Sequence, residues 1–234
     1  MTITTPDARP FQFELAGFDL YRNIHKGIRS ELYAVTEEAG RLDPSDRDDR
    51  AALAAHLGSV VTLLASHAEH EDASINPSLE VHLPDVAARI VADHEVLDAR
   101  IKVVGEFAEA AVQLETGQRT EFQKLYLELA SFTSAYLAHQ DFEERVVMPA
   151  LEQAIGFDGV FAINQAIVSS IPPDQLVKTL AIMLPAMNVD DRTELLGGMK
   201  AGAPPEVFQG VWSLAGSVLT PGDRAAVARR LEIA

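Results

Sequence analysis

The sequence predicts an all-α protein: an up-down-up-down four-helix bundle followed by a C-terminal helical extension. Three observations predict it. Apolar residues recur at three- and four-residue steps through four long stretches between residues 15 and 148, the mark of helices with one buried face. Short polar or proline-bearing segments separate these stretches, and short connections join antiparallel neighbours. After about residue 155 the texture changes to shorter apolar segments divided by proline and glycine. We therefore expect two units, with residues 1–155 forming the bundle and 156–234 the extension.

The first helix, residues 15–36, carries Phe18, Tyr21, Ile24 or His25, Ile28, Leu32 and Val35 on one stripe, and the polar turn GRLDPSDRDDR ends it. The second, residues 46–74, aligns Leu53, Leu57, Val60, Leu64, His67 and Glu71, with Ser45 or Asp46 placed to cap it. Pro77 and Pro84 bracket the break that follows. In the third, residues 85–114, Ile90, His94, Leu97, Ile101 and Val104 alternate at four and three residues, which makes a bundle seam. The fourth, residues 120–148, continues the pattern through Phe122, Leu125, Leu129, Phe132, Tyr136, His139, Glu143 and Val146, and Pro149 is expected to end it. Beyond it lie five short segments, four opening on Pro or Asp where a helix would start. They are expected to pack on the bundle or on a second subunit.

Composition narrows the chemistry. Of 234 residues, 47% are hydrophobic and 23% charged, ordinary values for a globular chain. The formal net charge of −16 argues against nucleic acid or an anionic membrane as partner, since both require a positive footprint. With no cysteine, disulfides, zinc–thiolate sites and iron–sulfur clusters are excluded, and any metal must sit on nitrogen and oxygen. The opening MTITTPDARPFQF has no basic segment followed by an apolar one, and no uninterrupted apolar run approaches roughly 18 residues. A cytoplasmic location is expected.

The chain contains an internal match. From His67 it reads HAEHEDASINP and from His139 HQDFEERVVMP: His, three residues, Glu, an acidic residue, two residues, Ile or Val, one residue, Pro. Residues four apart on a helix lie about 40° apart on one face, one turn along the axis. His67 with Glu71, and His139 with Glu143, can each aim an imidazole and a carboxylate at one point. Both pairs fall on the apolar face, where an uncompensated carboxylate carries a heavy desolvation cost that a cation would relieve. The other two helices each place one histidine, His25 and His94, in the same inward stripe. Four imidazoles with two carboxylates suit iron, manganese or zinc better than calcium or magnesium. The Glu-xx-His pattern of ferritin-like carboxylate proteins occurs nowhere in the chain.

Over residues 15–150 the chain resembles the hemerythrin-like (HHE cation-binding) family, whose signature is His, His-xxx-Glu, His, His-xxx-Glu along four antiparallel helices. The resemblance implies two iron ions, oxo- or hydroxo-bridged, with His25, His67, His94 and His139 as terminal ligands and Glu71 and Glu143 as bridges; zinc or manganese are substitutes. It also implies a protein that binds or responds to oxygen, peroxide, nitric oxide or iron, the alternative being a di-iron enzyme for peroxide disproportionation, nitric oxide reduction or iron oxidation. Oxygen carriers of the family look to use a fifth histidine four residues after the third-helix one, where this chain has Asp98. Two histidines per iron would leave a more open site than an oxygen carrier's. The extension is expected to support a homo-oligomer.

Other residues take the plainer reading. His70 lies about 60° from His67 and is expected in solvent or at the site's edge. His56 is about 16 Å along the axis from His67, too far to be a ligand. His82 is expected in a loop. Tyr21 and Tyr136 are read as packed rings with satisfied hydroxyls that could also donate to a bound oxygen species, Phe142 as core or pocket wall, and Asp72 and Glu144 as outer or solvated carboxylates rather than ligands.

Overall fold

The computed structural model of the chain describes residues 13–233. Residues 1–12, which open both the 1–155 unit and the segment read above as lacking a leader, lie outside the described residues, as does Ala234. Among the described residues every regular element is helical: α1 Arg22–Arg41, α2 Arg47–Ser74, α3 Asn76–His82, α4 Pro84–Val112 and α5 Gln118–Phe142 come first. The α2 helix packs on α1 and α4, and α5 packs on α4 and α1. These four long helices close around a core that includes Ile28, Leu32, Leu57, Leu64, Ile101, Leu129 and Phe132. Each fully buried leucine there contributes roughly 1.5–3 kcal/mol by leaving water.

Local signals explain the ends. Asp46 caps α2 by accepting the Asp48 N–H, as its sequence position predicts. The first helix starts at Arg22 rather than residue 15, because the Asp19 carboxylate accepts the N–H groups of Tyr21 and Arg22. The chain before it is pinned elsewhere, with the Gly17 and Phe18 N–H groups donating to Glu152.

Two predicted breaks are different in the structure. The segment between Pro77 and Pro84 is the short helix α3, with Pro77 in its first turn and Leu79 buried. His82 therefore ends a helix, exposed, rather than lying in a loop. The fourth long helix does not stop at Pro149: it widens into a π-helical turn, Glu143–Val147, and continues as α6, Met148–Ser170. There the Met148 N–H reaches back five residues to the Glu143 carbonyl. Pro149 opens the new α-segment, a position that needs no N–H. Gly156, at φ 72° and ψ 172°, then bends α6. Segment 157–170 is thus the second limb of a bent helix. Val147, Met148, Leu151 and Val160 join Tyr21, Ile75, Leu79 and Ile90 in a second core.

The extension continues with α7 Pro173–Ala186, α8 Val189–Gly202, α9 Pro205–Val218 and α10 Pro221–Leu231. Proline sits in the first turn of α7, α9 and α10, and Asn188 caps α8 through the N–H groups of Asp190 and Asp191. A third core, with Leu180, Leu184, Leu196, Ala215 and Val227, holds them together. The α7 helix lies along α1. Gly27 allows that approach, since a Cβ there would stand 3.1 Å from Ile182 Cγ2 and 3.4 Å from the Met183 backbone. From α8, Asp191 pairs with Lys26 and, at 3.5 Å, with Arg22, while Glu194 takes Arg22 at 2.9 Å.

Two helical stretches, Arg47–Ser74 and the continuous run Gln118–Ser170, are long and apolar enough by length and composition to cross a membrane. They are the two that carry the buried His–Glu pairs.

Candidate metal centre

The six predicted residues meet in one hollow between the four long helices, and all six are buried. Within α2, His67 Nε2 stands 3.0 Å from Glu71 Oε1, and at the end of α5, His139 Nε2 stands 3.2 Å from Glu143 Oε1. These are the one-turn contacts that the four-residue spacing dictates. The remaining contacts cross between helices. His25 Nε2 from α1 lies 3.2 Å from His67 Nε2, 3.9 Å from Glu71 Oε1 and 3.5 Å from Glu143 Oε2. His94 Nε2 from α4 lies 3.2 Å from Glu71 Oε2 and 3.9 Å from Glu143 Oε1.

Sorted by oxygen, the donors form two groups. His25 and His67 face Glu71 Oε1, and His25 also faces Glu143 Oε2; His94 faces Glu71 Oε2 and, with His139, Glu143 Oε1. Each carboxylate turns one oxygen to each histidine pair. The imidazoles within a pair sit edge to face, with centroids 5.2 Å apart for His25–His67 and 5.0 Å for His94–His139.

The donor set fits metal ions. All four oxygens of Glu71 and Glu143 are buried and, among the described residues, receive no well-aligned hydrogen bond, an arrangement costly for carboxylates unless a cation compensates. Nitrogen ligands about 2.1 Å from a first-row metal, and roughly a right angle apart, lie about 3 Å from each other, close to the 3.2 Å between His25 and His67. Without a cation the imidazoles themselves supply the positive charge. Burial pushes His25 and His94 down, but the carboxylates beside them, Glu144 and Glu71 for His25 and Glu143 and Glu71 for His94, outweigh it and bring them up to about 9 and about 11. Burial raises Glu71, yet the attraction of His67 and the close approach of His25, His67 and His94 hold it well below its ordinary value. A metal ion held here would compete with these protons, which would couple its binding to pH.

The family model described as "Hemerythrin HHE cation binding domain" matches residues 16–151. The chain belongs to this family. No curated protein and no solved structure matches it. Within the matched residues lie two buried His/Glu groups able to hold a metal, Glu71–His94–His139–Glu143 and His25–His67–Glu71.

The other candidates lie outside these two groups. Asp98 is exposed and belongs to neither metal-binding group. His70 is half-buried and also belongs to neither. His56 stands apart, paired through Nδ1 with Glu38 at 2.6 Å and through Nε2 with Glu31 at 3.2 Å. Tyr21 stacks on His25 at 5.0 Å, and Tyr136 meets His139 edge-on at 5.9 Å. Burial first, then the charges of Glu71 and Glu143, push both phenols well above 10, so both stay protonated. Phe142 lies under the Arg89 guanidinium, 3.5 Å from its ring centre.

The outer carboxylates make contacts that the sequence left open. Asp72 Oδ1 lies 3.0 Å from His94 Nδ1, and Glu144 Oε1 lies 3.1 Å from His25 Nδ1. Glu144 also receives both arms of Arg29, at 2.7 and 2.9 Å. Burial raises Glu144, but His25 and Arg29 outweigh it and hold it at about 2. Sequence reading missed Arg29. The only signal for it is position: it follows His25 by four residues, where the duplicated motif has its Glu.

Proposed function

We propose that this HHE domain is a non-haem di-iron protein that binds or responds to oxygen, peroxide, nitric oxide or iron itself. The observation that carries the proposal is the division of each carboxylate between the histidine pairs, Glu71 with Oε1 towards His25 and His67 and Oε2 towards His94, and Glu143 with the complementary arrangement. In this reading His25 and His67 would hold one ion and His94 and His139 the other, with Glu71 and Glu143 available to both. Nitrogen and oxygen donors of this kind favour iron, with zinc and manganese as substitutes. Two adjacent irons would supply electron transfer to and from a small oxidant.

The chain's own residues set the conditions for that chemistry. The ligand residues themselves are buried within the bundle, which keeps bulk water from the site. Tyr21 and Tyr136 keep O–H groups beside it. Two histidines for each ion, with Asp98 exposed, leave fewer protein donors than an oxygen carrier's three-and-two set, which favours a reactive or sensing site over simple carriage. The bundle is proposed to run up-down-up-down and to form, over residues 1–155, a unit distinct from 156–234. The bend at Gly156 and the separate core of α7 to α10 support that division, while Val160, past the bend, still packs in the second core with Tyr21 and Ile75. The extension is proposed to mediate homo-oligomerisation. A cytoplasmic protein with neither nucleic acid nor membrane as partner is in keeping with a net charge of −16.

The test is anaerobic loading with ferrous iron, elemental analysis, and absorption spectra after adding oxygen, peroxide or nitric oxide. Two irons per chain and a stable, reversible spectral change are expected. Sustained oxygen release from peroxide would favour the enzyme alternative, and no bound iron would overturn the proposal.

A further inference from the structure

The duplicated motif contains one repeated feature that the metal reading does not use: the acidic residue directly after each motif Glu. It is Asp72 in the first copy and Glu144 in the second. Consecutive helical residues point about 100° apart, so when Glu71 and Glu143 face the hollow, Asp72 and Glu144 turn towards a neighbouring helix. Asp72 meets His94 of α4 and Glu144 meets His25 of α1, each at Nδ1, at 3.0 and 3.1 Å. These two histidines lack the motif's own Glu four residues on: Arg29 and Asp98 occupy those places. Their Nε2 atoms face the buried carboxylates.

We propose that Asp72 and Glu144 are positioning residues, each accepting the Nδ1–H of the lone histidine on the adjacent helix so that its Nε2 lone pair is presented to a metal ion. A neutral imidazole has one N–H and one lone pair, and an acceptor fixed at Nδ1 selects which nitrogen carries which. The duplicated motif thereby acts twice, Glu71 and Glu143 inward on metal and Asp72 and Glu144 sideways on the partner histidine. Arg29 grips Glu144 through both oxygens, while the Asp72 side chain is 46% exposed. The Glu144 contact is accordingly the stronger of the two.

The proposal rests on the metal reading, and zinc distinguishes the two because it is diamagnetic and needs no redox partner. The full-length chain would be titrated with Zn²⁺ against a chromophoric chelator. Glu144→Ala is expected to weaken zinc binding about 10–100-fold and Asp72→Ala by about 10-fold, with Glu144→Gln and Asp72→Asn, whose amide oxygens still accept a hydrogen bond, between these and wild type. Imidazole ¹⁵N spectra of the zinc-loaded wild type should show His25 and His94 as Nδ1–H tautomers. The His25 Nδ1–H signal should be lost in Glu144→Ala while the His67 and His139 signals stay in place. In a His25→Ala background, Glu144→Ala should add nothing. An equal loss of affinity with His25 present or absent would assign Glu144 a merely structural role and overturn the proposal. So would zinc affinities and tautomers unchanged in Glu144→Ala and Asp72→Ala. Should Glu144→Ala fail to fold by circular dichroism, Glu144→Gln and its tautomer signal decide. A wild-type chain that binds no zinc would overturn the metal reading as well.

Discussion

In α2, three more helical residues follow Glu71, the chain turns at Ile75, and a new helix starts at Asn76 with Pro77 in its first turn. At the end of α5 the same pattern passes at Glu143 directly into a π-helical turn, and Pro149 lies in the first turn of α6, which follows with no intervening loop. Both exits still deliver the matching apolar residue, Ile75 or Val147, into one core. The difference between the copies shows where local control stops. Four-residue spacing brings His and Glu together in either setting, whereas the route out of the motif depends on what the following residues pack against: the short α3 on α4 in one case, the long bent α6 in the other.

The largest effect should come from the carboxylates. Because each faces both histidine pairs, Glu71→Ala and Glu143→Ala are expected to act alike despite their different exits, lowering metal content from two ions per chain to one or none. Elemental analysis after loading checks this, and two ions retained in either variant would break the equivalence of the copies.

Next come the shared core positions. Replacing Ile75, fully enclosed, by Ala should cost about 2–5 kcal/mol. Val147→Ala removes less apolar surface and should cost roughly 1–3 kcal/mol. Urea unfolding of the two variants measures whether α3 and the wide turn support the second core equally.

A pH series on metal-free protein sharpens the contrast between inner and outer groups. His25 and His94 are raised from 6.5 to about 9 and about 11, so their stabilisation is complete below 6.5 and is lost as pH rises through those values. Glu144 is lowered from 4.5 to about 2, so its contribution is present above 4.5 and is lost as pH falls towards 2. The metal-free chain should therefore be most stable between about pH 4.5 and 6.5 on these groups. Chemical denaturation midpoints across pH test it, and Glu144→Gln should flatten the acid limb.

The smallest effect separates the site from the extension. Arg22 reaches Glu194 of α8 largely in solvent, and Arg22→Ala should change stability by about 1 kcal/mol or less while leaving metal content unchanged. A loss of metal in this variant would mean that the extension's grip on α1 also sets the position of His25.

Much of the site is legible in the sequence. His67, Glu71, His139 and Glu143 follow from the repeated spacing, and His25 and His94 from the apolar stripes they interrupt. Asp46 announced the start of α2, and the Pro- and Asp-headed segments the helices of the extension. Pro149 misled, because proline forbids a regular helix interior and yet is tolerated where a π-helical turn restarts the α-helix. The segment holding His82 misled in the same way, since Pro77 opens a helix as readily as it ends one.

By itself, then, the sequence determined what a single helix can determine: which residues share a face, which His and Glu stand one turn apart, and where caps and prolines start a segment. These depend on contacts within a few residues. Only the tertiary structure decided that one carboxylate oxygen faces each histidine pair, that Asp72 and Glu144 hold histidines of other helices, and that Gly27 seats α7 against α1. Those pairings join residues as far apart as His25 and Glu144, 119 positions along the chain. Their geometry comes from how whole helices cross and pack, which no local spacing encodes.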